Sequence, residues 1–433
     1  MDYNAENYKN CYSYAVCKGL SEHIMLKIVH ISTYDNGGAG NAAMRLHLGL
    51  LEMGVHSIFL CLKKSTNFKN VIEFTQRTKL SESVFVRTPF NAIGFPIDKC
   101  NQNIKLLSKL QGDYELFTFP DSNADVLSHP AVLNADIINL HWVAKYMDYR
   151  SFFSKVNKPI VWTLHDMNPI QGGFHYYDEL VRSKATFELI ENKLKNEKAA
   201  LISKCKNLTV VAPSKWLHQL AIESNAFSKA KHLHIPYGLN TSLFKDYGKA
   251  VARAVFDLPM DKIVISFVSS DVHSPRKGFD LLLDAIQQMK TREEVVFCAI
   301  GNAPEESTEN NFLYLGNIRD ERLMALLYSA SDGYVLPSRE DNLPNVMLES
   351  MACGTPVLSF AVGGMRDLIQ SNFNGLLAGE ISSKALSESL DLFITGIKKY
   401  DRKAIRQNMV DHYNLLVQAI SYFNLYSSIL KNG

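Results

Sequence analysis

The sequence predicts an α/β protein built from two doubly wound, parallel-sheet domains facing a cleft. Short apolar runs alternate with helix-periodic stretches twice along the chain, once between residues 26 and 214 and again from about Asp261. Each series opens on a strand, helix, strand unit of the kind that closes only through a parallel crossover. The length of 433 residues is long for one core and comfortable for two.

Taken in order, residues 1–24 are polar and rich in Tyr and Asn, and read as an extension of unknown use. "LKIVHIS" (26–32) is a buried strand. A glycine turn follows, then helical spacing at Ala43, Leu46, Leu50 and Met53, stopped by Gly54. "VHSIFLCL" (55–62), "ADIINLHW" (135–142), "KPIVWTLHD" (158–166) and "NLTVVAPS" (207–214) are further strands, whereas 77–125 has no clear period. Pro236 and Gly238 interrupt the pattern in "HIPYGLN" and mark a hinge. This divides the chain into an N-terminal domain, 25–238, and a C-terminal domain, 239–410.

The second series begins with the strand "KIVISFVSS" (262–270) and a helix carrying Phe279, Leu282, Leu283 and Ile286 on one face. Strands are expected at 294–301, 333–338 and 355–364, with helices at 319–331 and 344–354 between them. Residues 411–433 read as an amphipathic helix with a stripe of Tyr413, Leu416, Ile420, Phe423 and Leu430. It is expected to pack back on the N-terminal domain and not to bind a partner.

Composition narrows the function. A net charge of only +2 argues against strong nucleic-acid binding, which normally needs a concentrated basic surface. The seven cysteines are scattered with no C-x-x-C pair, which suggests neither a zinc knuckle nor a redox motif and fits a reducing, cytoplasmic compartment. Asp2 and the absence of an apolar run after it argue against a signal peptide. No stretch approaches the roughly 20 apolar residues of a membrane helix, so membrane contact is expected only peripherally, at the inner face.

Four stretches carry chemistry. Gly37, Gly38, Ala39 and Gly40 join a strand to a helix, where bare backbone and free N–H groups suit a phosphate. Their spacing is not G-x-G-x-x-G, and a plain tight turn stays open. Arg276 and Lys277 precede a helix and could neutralise a departing diphosphate without a metal; the sequence has no D-x-D to hold one. "SREDNLPNVMLESMACGTPV" carries Glu340, Asp341 and Glu349, the last amid apolar helix residues, where burial requires hydrogen bonds such as sugar hydroxyls offer. His165 follows a buried strand at the ligand edge of its sheet, as a structural residue or as a sugar contact.

Together these stretches resemble the family 4 glycosyltransferases, of the GT-B fold. The resemblance runs from about residue 26 and is strongest over "SASDGYVLPSREDNLPNVMLESMACGTPVLSFAVGGMRDLI". "NGGAGNAAMRLHLGL", "NLHW" and "KPIVWTLHDMNPIQGGFHY" are similar to the branch with colanic-acid and other exopolysaccharide or O-antigen transferases. The resemblance implies a retaining, metal-independent hexosyltransferase acting in surface polysaccharide biosynthesis. Its co-substrate would be a nucleoside-diphosphate sugar, with no other cofactor, and its acceptor a glycan or polyprenyl-linked molecule.

The family carries two acids seven residues apart, the second on the nucleotide ribose and the first near the donor sugar. Asp341 and Glu349 have that spacing and Glu340 does not, so Asp341 takes the first position. The resemblance further implies that Arg276 and Lys277 hold diphosphate, that Gly38, Ala39 and Gly40 approach phosphates and acceptor, and that His165 lies near the sugar. The stretch Asn342, Leu343, Pro344, Asn345 would lie around the sugar and supply backbone amides from its non-proline residues, and Glu340 and Ile318 complete the expected donor-binding set. Phe174 replaces a cysteine of that branch. "SSDVHSPRKG" replaces the usual Gly-Arg before Lys-Gly, which displaces Arg276 along the chain. An epimerase of the same fold, or a non-catalytic nucleotide- or glycan-binding protein, are the alternatives.

Overall fold

The computed structural model describes residues 26–75, 99–268, 274–301 and 312–432. The extension 1–24, the stretch 76–98 of the irregular region and the "SDVH" ahead of Ser274 lie outside the described residues.

Thirteen strands among the described residues form two sheets. The first takes β1 (Lys27–Tyr34), β2 (His56–Lys63), β3 (Val71–Glu73), β4 (Ile137–Leu140), β5 (Ile160–Thr163), β6 (Leu208–Ala212) and β7 (Lys231–His234). The second takes β8 (Ile263–Val268), β9 (Val295–Ile300), β10 (Phe312–Tyr314), β11 (Gly333–Leu336), β12 (Val357–Phe360) and β13 (Gly375–Ala378). Their orders are β3-β2-β1-β4-β5-β6-β7 and β10-β9-β8-β11-β12-β13, with every pair parallel. Each sheet reverses direction beside its first strand, between β1 and β4 and between β8 and β11. Ligands of doubly wound sheets bind outside the strand ends at such a point.

The strand sequences explain why both faces are covered. β4 and β5 are buried along their whole length, as apolar runs of a parallel sheet require. Six helices place the site. α1 (Gly37–Glu52) follows β1, and α2 (Tyr177–Ile202) crosses behind β5. α3 (Phe279–Gln288), α4 (Glu321–Ala330) and α5 (Asn345–Ala352) belong to the second domain, and α6 (Leu415–Asn432) closes the chain. α4 starts where the Asp320 carboxylate accepts from the amides of Arg322 and Leu323, satisfying donors that the first helical turn leaves unpaired.

α6 lies on the first domain although it follows the second. Ala419, Tyr422 and Tyr426 join Leu46 and Leu50 of α1 with Ile28, Ile137 and Val161 in one buried cluster. Each fully buried side chain of this kind contributes roughly 1.5–3 kcal/mol. Tyr422 donates to Thr163, which donates to Asn139, whose amide donates to Tyr426. The expected stripe is corrected here. Leu416 and Leu430 are 41% and 42% exposed and Tyr413 precedes the helix, because the buried face runs through 415, 419, 422 and 426.

The first domain hands over to the second along 235–240, and the chain returns at 413–415 beside it. The Leu239 amide donates to the Tyr413 carbonyl and the Leu415 amide donates to Leu239.

Candidate functional site

The carboxyl ends of the two sheets face each other across a cleft of about 540 Å³. The first domain contributes the start of α1, where Gly38, Ala39 and Gly40 line the opening, with Trp142, His165, Tyr176 and Tyr237 beside them. The second contributes Arg276, Lys277, Asp341 to Asn345, and Glu349.

The cations sit in a short 3-10 turn, Pro275–Lys277, held by Gly278 in a left-handed conformation (φ 67°). A Cβ at Gly278 would stand 2.0 Å from the Pro337 carbonyl oxygen, so glycine lets this turn press on the end of β11. Lys277 Nζ lies 2.7 Å from Asp341 Oδ2, and Arg276 reaches the same oxygen at 3.4 Å. Arg276 also stacks on Tyr176, with Cζ 4.0 Å from the ring centroid, and pairs with Glu115 at 3.3 Å. Burial works to raise the Asp341 carboxyl, but Lys277 and Arg276 beside it prevail and hold it below its ordinary value.

The acidic loop is gripped from behind by Gly363 (φ 50°), where a Cβ would fall 1.8 Å from the Asp341 carbonyl oxygen. Asp341 therefore faces the cleft, 7% exposed. Its neighbour Glu340 turns away, accepting from the Asp178 amide at the start of α2 at 2.9 Å. Glu340 does not line the cleft, because a carboxylate at a helix N-terminus is favoured there. Ile318 does not line it either; it packs ahead of α4 against the second domain's core.

Glu349 projects from α5, 7% exposed. Its Oε1 is 2.6 Å from the Arg45 guanidinium, which comes from α1 across the cleft, and its Oε2 accepts from Tyr328 at 3.2 Å. Arg45 also meets Glu321 and Asn345. Asn345 donates to the Gly38 carbonyl at 2.8 Å. Asn342 accepts from Ser214 and donates to the His165 carbonyl, so the acidic loop is bonded to both domains.

His165 does not offer a free nitrogen. Nδ1 meets the Tyr237 hydroxyl at 2.8 Å and Nε2 meets His141 at 3.0 Å. Burial pushes its imidazole down to about 4. The next residue, Asp166, accepts from Trp142 and from the Asn168 amide and pairs with His175. The loop 171–175 is clamped by Glu191, which accepts from Gly172 and Gly173, and by Lys198, which donates to the carbonyls of Asn168 and Gly172. Phe174 is fully buried against Phe117 and Phe187, so an aromatic cluster holds this loop. Among the described residues no group of three His, Cys, Asp or Glu side chains is placed to hold a metal. No described helix is long and apolar enough to cross a membrane.

Arg45, Glu115, Tyr176 and Tyr237 were not anticipated. Arg45 left a signal, a cation flanked by Met44 and Leu46 in an otherwise core-facing helix. Tyr176 and Tyr237 reach the cleft, and Glu115 reaches Arg276, only through tertiary packing.

Residues 262–395 match the model of the family described as Glycosyl transferases group 1. A putative teichuronic acid biosynthesis glycosyltransferase, TuaC, of Bacillus subtilis is 28% identical over 175 residues, 40% of this chain and 44% of that protein. A D-inositol 3-phosphate glycosyltransferase of Streptosporangium roseum is 31% identical over 160 residues, 32% of this chain and 36% of that one. The chain thus spans less than half the length of these curated relatives.

Solved structures cover nearly all of it. The sucrose-phosphate synthase of Thermosynechococcus elongatus superposes with a TM-score of 0.66 at 19% identity, over 94% of this chain and 100% of that one. Anabaena HepE, in complex with UDP and glucose, gives 0.61 at 16% identity over 93% and 100%. The resemblance read from the sequence therefore holds for the second domain as a family match, and for the whole chain as the GT-B fold.

Proposed function

We propose that this chain is a retaining glycosyltransferase. It moves a hexose-type sugar from a nucleoside-diphosphate sugar to a glycan or polyprenyl-linked acceptor, without a metal ion. One observation carries this reading: Arg276 and Lys277 converge on Asp341 opposite the glycine-opened N-terminus of α1. Positive groups from the second domain and free amides from the first would meet a diphosphate between them. In support, TuaC is named for teichuronic acid biosynthesis, and HepE, a neighbour of this fold, forms a complex with UDP and glucose.

The chemistry follows from which groups are free. Retention through a covalent intermediate needs an available carboxylate beside the anomeric carbon. Among the described residues the cleft carboxylates are held by cations or donors, Asp166 by Trp142 and His175, Asp341 by two cations, Glu349 by Arg45 and Tyr328, so each keeps lone pairs for further hydrogen bonds but none stands as a free nucleophile. Front-face substitution needs none. The bond from the anomeric carbon to the diphosphate oxygen breaks, the acceptor oxygen bonds on the same face, and the acceptor proton passes to the leaving diphosphate. Arg276 and Lys277 take up the charge released, and Glu349 accepts from the ribose hydroxyls. The protein contributes orientation and charge stabilisation.

A screen of UDP-, GDP-, ADP- and dTDP-sugars by nucleotide release and calorimetry tests this. We expect release that requires an acceptor, survives EDTA and yields a product with the donor's anomeric configuration by proton NMR. An epimerase would convert the nucleotide sugar into its epimer, so free nucleotide released together with a glycosylated acceptor separates the two. Chelator-abolished turnover restored by Mg²⁺ would end the metal-free reading.

A further inference from the structure

A file of buried histidines runs from the core of the first domain to the cleft. His30, in the middle of β1, meets His141 through Nδ1 and Nε2 at 2.9 Å. His141 meets His165 through Nδ1 and Nε2 at 3.0 Å, and His165 Nδ1 meets the Tyr237 hydroxyl at 2.8 Å. Every one of these side chains is buried, from 0% exposure at His30 to 8% at His165. The rings enter head to tail, each giving its Nε2 to the Nδ1 of the next one inward.

Burial holds all three imidazoles neutral at pH 7. A neutral imidazole has one N–H and one lone pair. Three such rings in file therefore have only two consistent arrangements, all donating inward or all donating outward. The two ends of the file are different. At the inner end, His30 Nε2 has no hydrogen-bond partner among the described residues; Phe59 stacks on the ring at 6.2 Å and His47 stands edge-on at 5.6 Å. At the outer end, Tyr237 lines the cleft with Arg276, Lys277 and Asp341.

Inward donation would strand the His30 Nε2–H in this aromatic box. Outward donation leaves only a lone pair there, and orphaned buried N–H groups are the rarer and costlier case. We infer that the file donates outward, with the proton on Nδ1 of His30, His141 and His165, so that Tyr237 accepts from His165 and presents its own O–H to the cleft as a fixed donor. Tyr237 is then a substrate-binding residue for an oxygen that has lone pairs and no proton to give. On the reading of a nucleoside-diphosphate donor, on which this contact rests, that oxygen belongs to the diphosphate. The interior of the first domain thereby sets the hydrogen-bond polarity of a group facing the second.

The direction and the contact are tested separately. The full chain labelled with ¹⁵N-histidine gives long-range ¹H–¹⁵N correlations that distinguish Nδ1–H from Nε2–H, with single His→Gln variants supplying assignments. The inference expects Nδ1–H at His30, His141 and His165; Nε2–H at these rings overturns it, whatever the protein's activity. For the contact, Tyr237→Phe keeps the ring and removes the donor. Calorimetry with UDP, GDP and ADP should show the wild-type ligand bound roughly tenfold or more weakly by the variant, with an unchanged near-UV circular dichroism spectrum. Equal affinity in wild type and variant overturns the contact. If neither these three nor dTDP binds the wild-type chain, the functional reading fails and the contact with it, while the tautomers still decide the direction.

Discussion

The two walls of the cleft are built in opposite ways. The second domain's wall is ionic and local: Arg276 and Lys277 share one turn, and Asp341 to Glu349 come from one loop and helix. The first domain's wall is largely neutral and assembled from afar, with Trp142 after β4, His165 after β5 and Tyr237 after β7. A charged wall pulls in a charged ligand and tolerates some movement, since Coulomb attraction falls off slowly with distance. A neutral hydrogen-bonded wall does the reverse. It attracts little, but its donors and acceptors have fixed directions, so it supplies orientation.

The largest expected effect breaks the neutral wall with acid. His165 sits near 4 because burial disfavours its cation, with Asp166 opposing, whereas the unfolded side chain keeps its ordinary value near 6.5. Between those values the unfolded chain binds more protons, so stability is intact above about pH 6.5 and is lost as pH falls toward 4. The loss from this residue is roughly 3 kcal/mol, and His30 and His141 shift in the same direction. Urea unfolding at pH 7 and pH 5 measures it, and equal midpoints would contradict a neutral file.

The ionic wall is probed next. Lys277→Ala should weaken nucleoside-diphosphate binding ten- to a hundredfold, the worth of a charge-assisted contact of roughly 1.5–3 kcal/mol. Asp341→Asn should leave that binding near wild type and cut turnover instead. Unaltered calorimetry for Lys277→Ala removes the diphosphate assignment.

Arg45 with Glu349, a charged tie of 2.6 Å between the walls, gives a smaller, bounded number. A double-mutant cycle of Arg45→Ala and Glu349→Gln, read by unfolding, should return a coupling of about 0.5–3 kcal/mol. Strict additivity would mean that the two side chains merely lie side by side. Smallest of all is Glu340→Gln, since that carboxylate serves the start of α2 and not the cleft. Its turnover should stay within about twofold of wild type, as losing a dipole contact costs ~0.3–1 kcal/mol of helix stability. An inactive Glu340→Gln protein would reverse the register of the acidic loop.

The contrast between the walls also explains what could be read from sequence. Long apolar strands and the periodic helices α1, α3 and α5 announce themselves, because their burial is repeated at a fixed spacing. The ionic wall lies in contiguous text. The rest depends on tertiary arrival. β3 and β10 have only three residues each, too few for a period. α2 is long but mostly polar, and hides its few buried positions. β7 is half exposed at the sheet's edge, and its lysine and histidines do not read as a strand. Tyr237 lay in text that reads as a hinge, and only the fold shows that its hydroxyl ends a buried file.

The paired backbone at Leu239 and 413–415 has one more consequence. The chain crosses between domains twice, and the crossings are bonded side by side where α6 begins. Two bodies joined by a single tether can swivel about any axis. Joined by two adjacent rails they bend chiefly about the line of the rails, so what remains is a door on a pinned edge, whose swing carries Arg45 and Glu349 toward or away from each other.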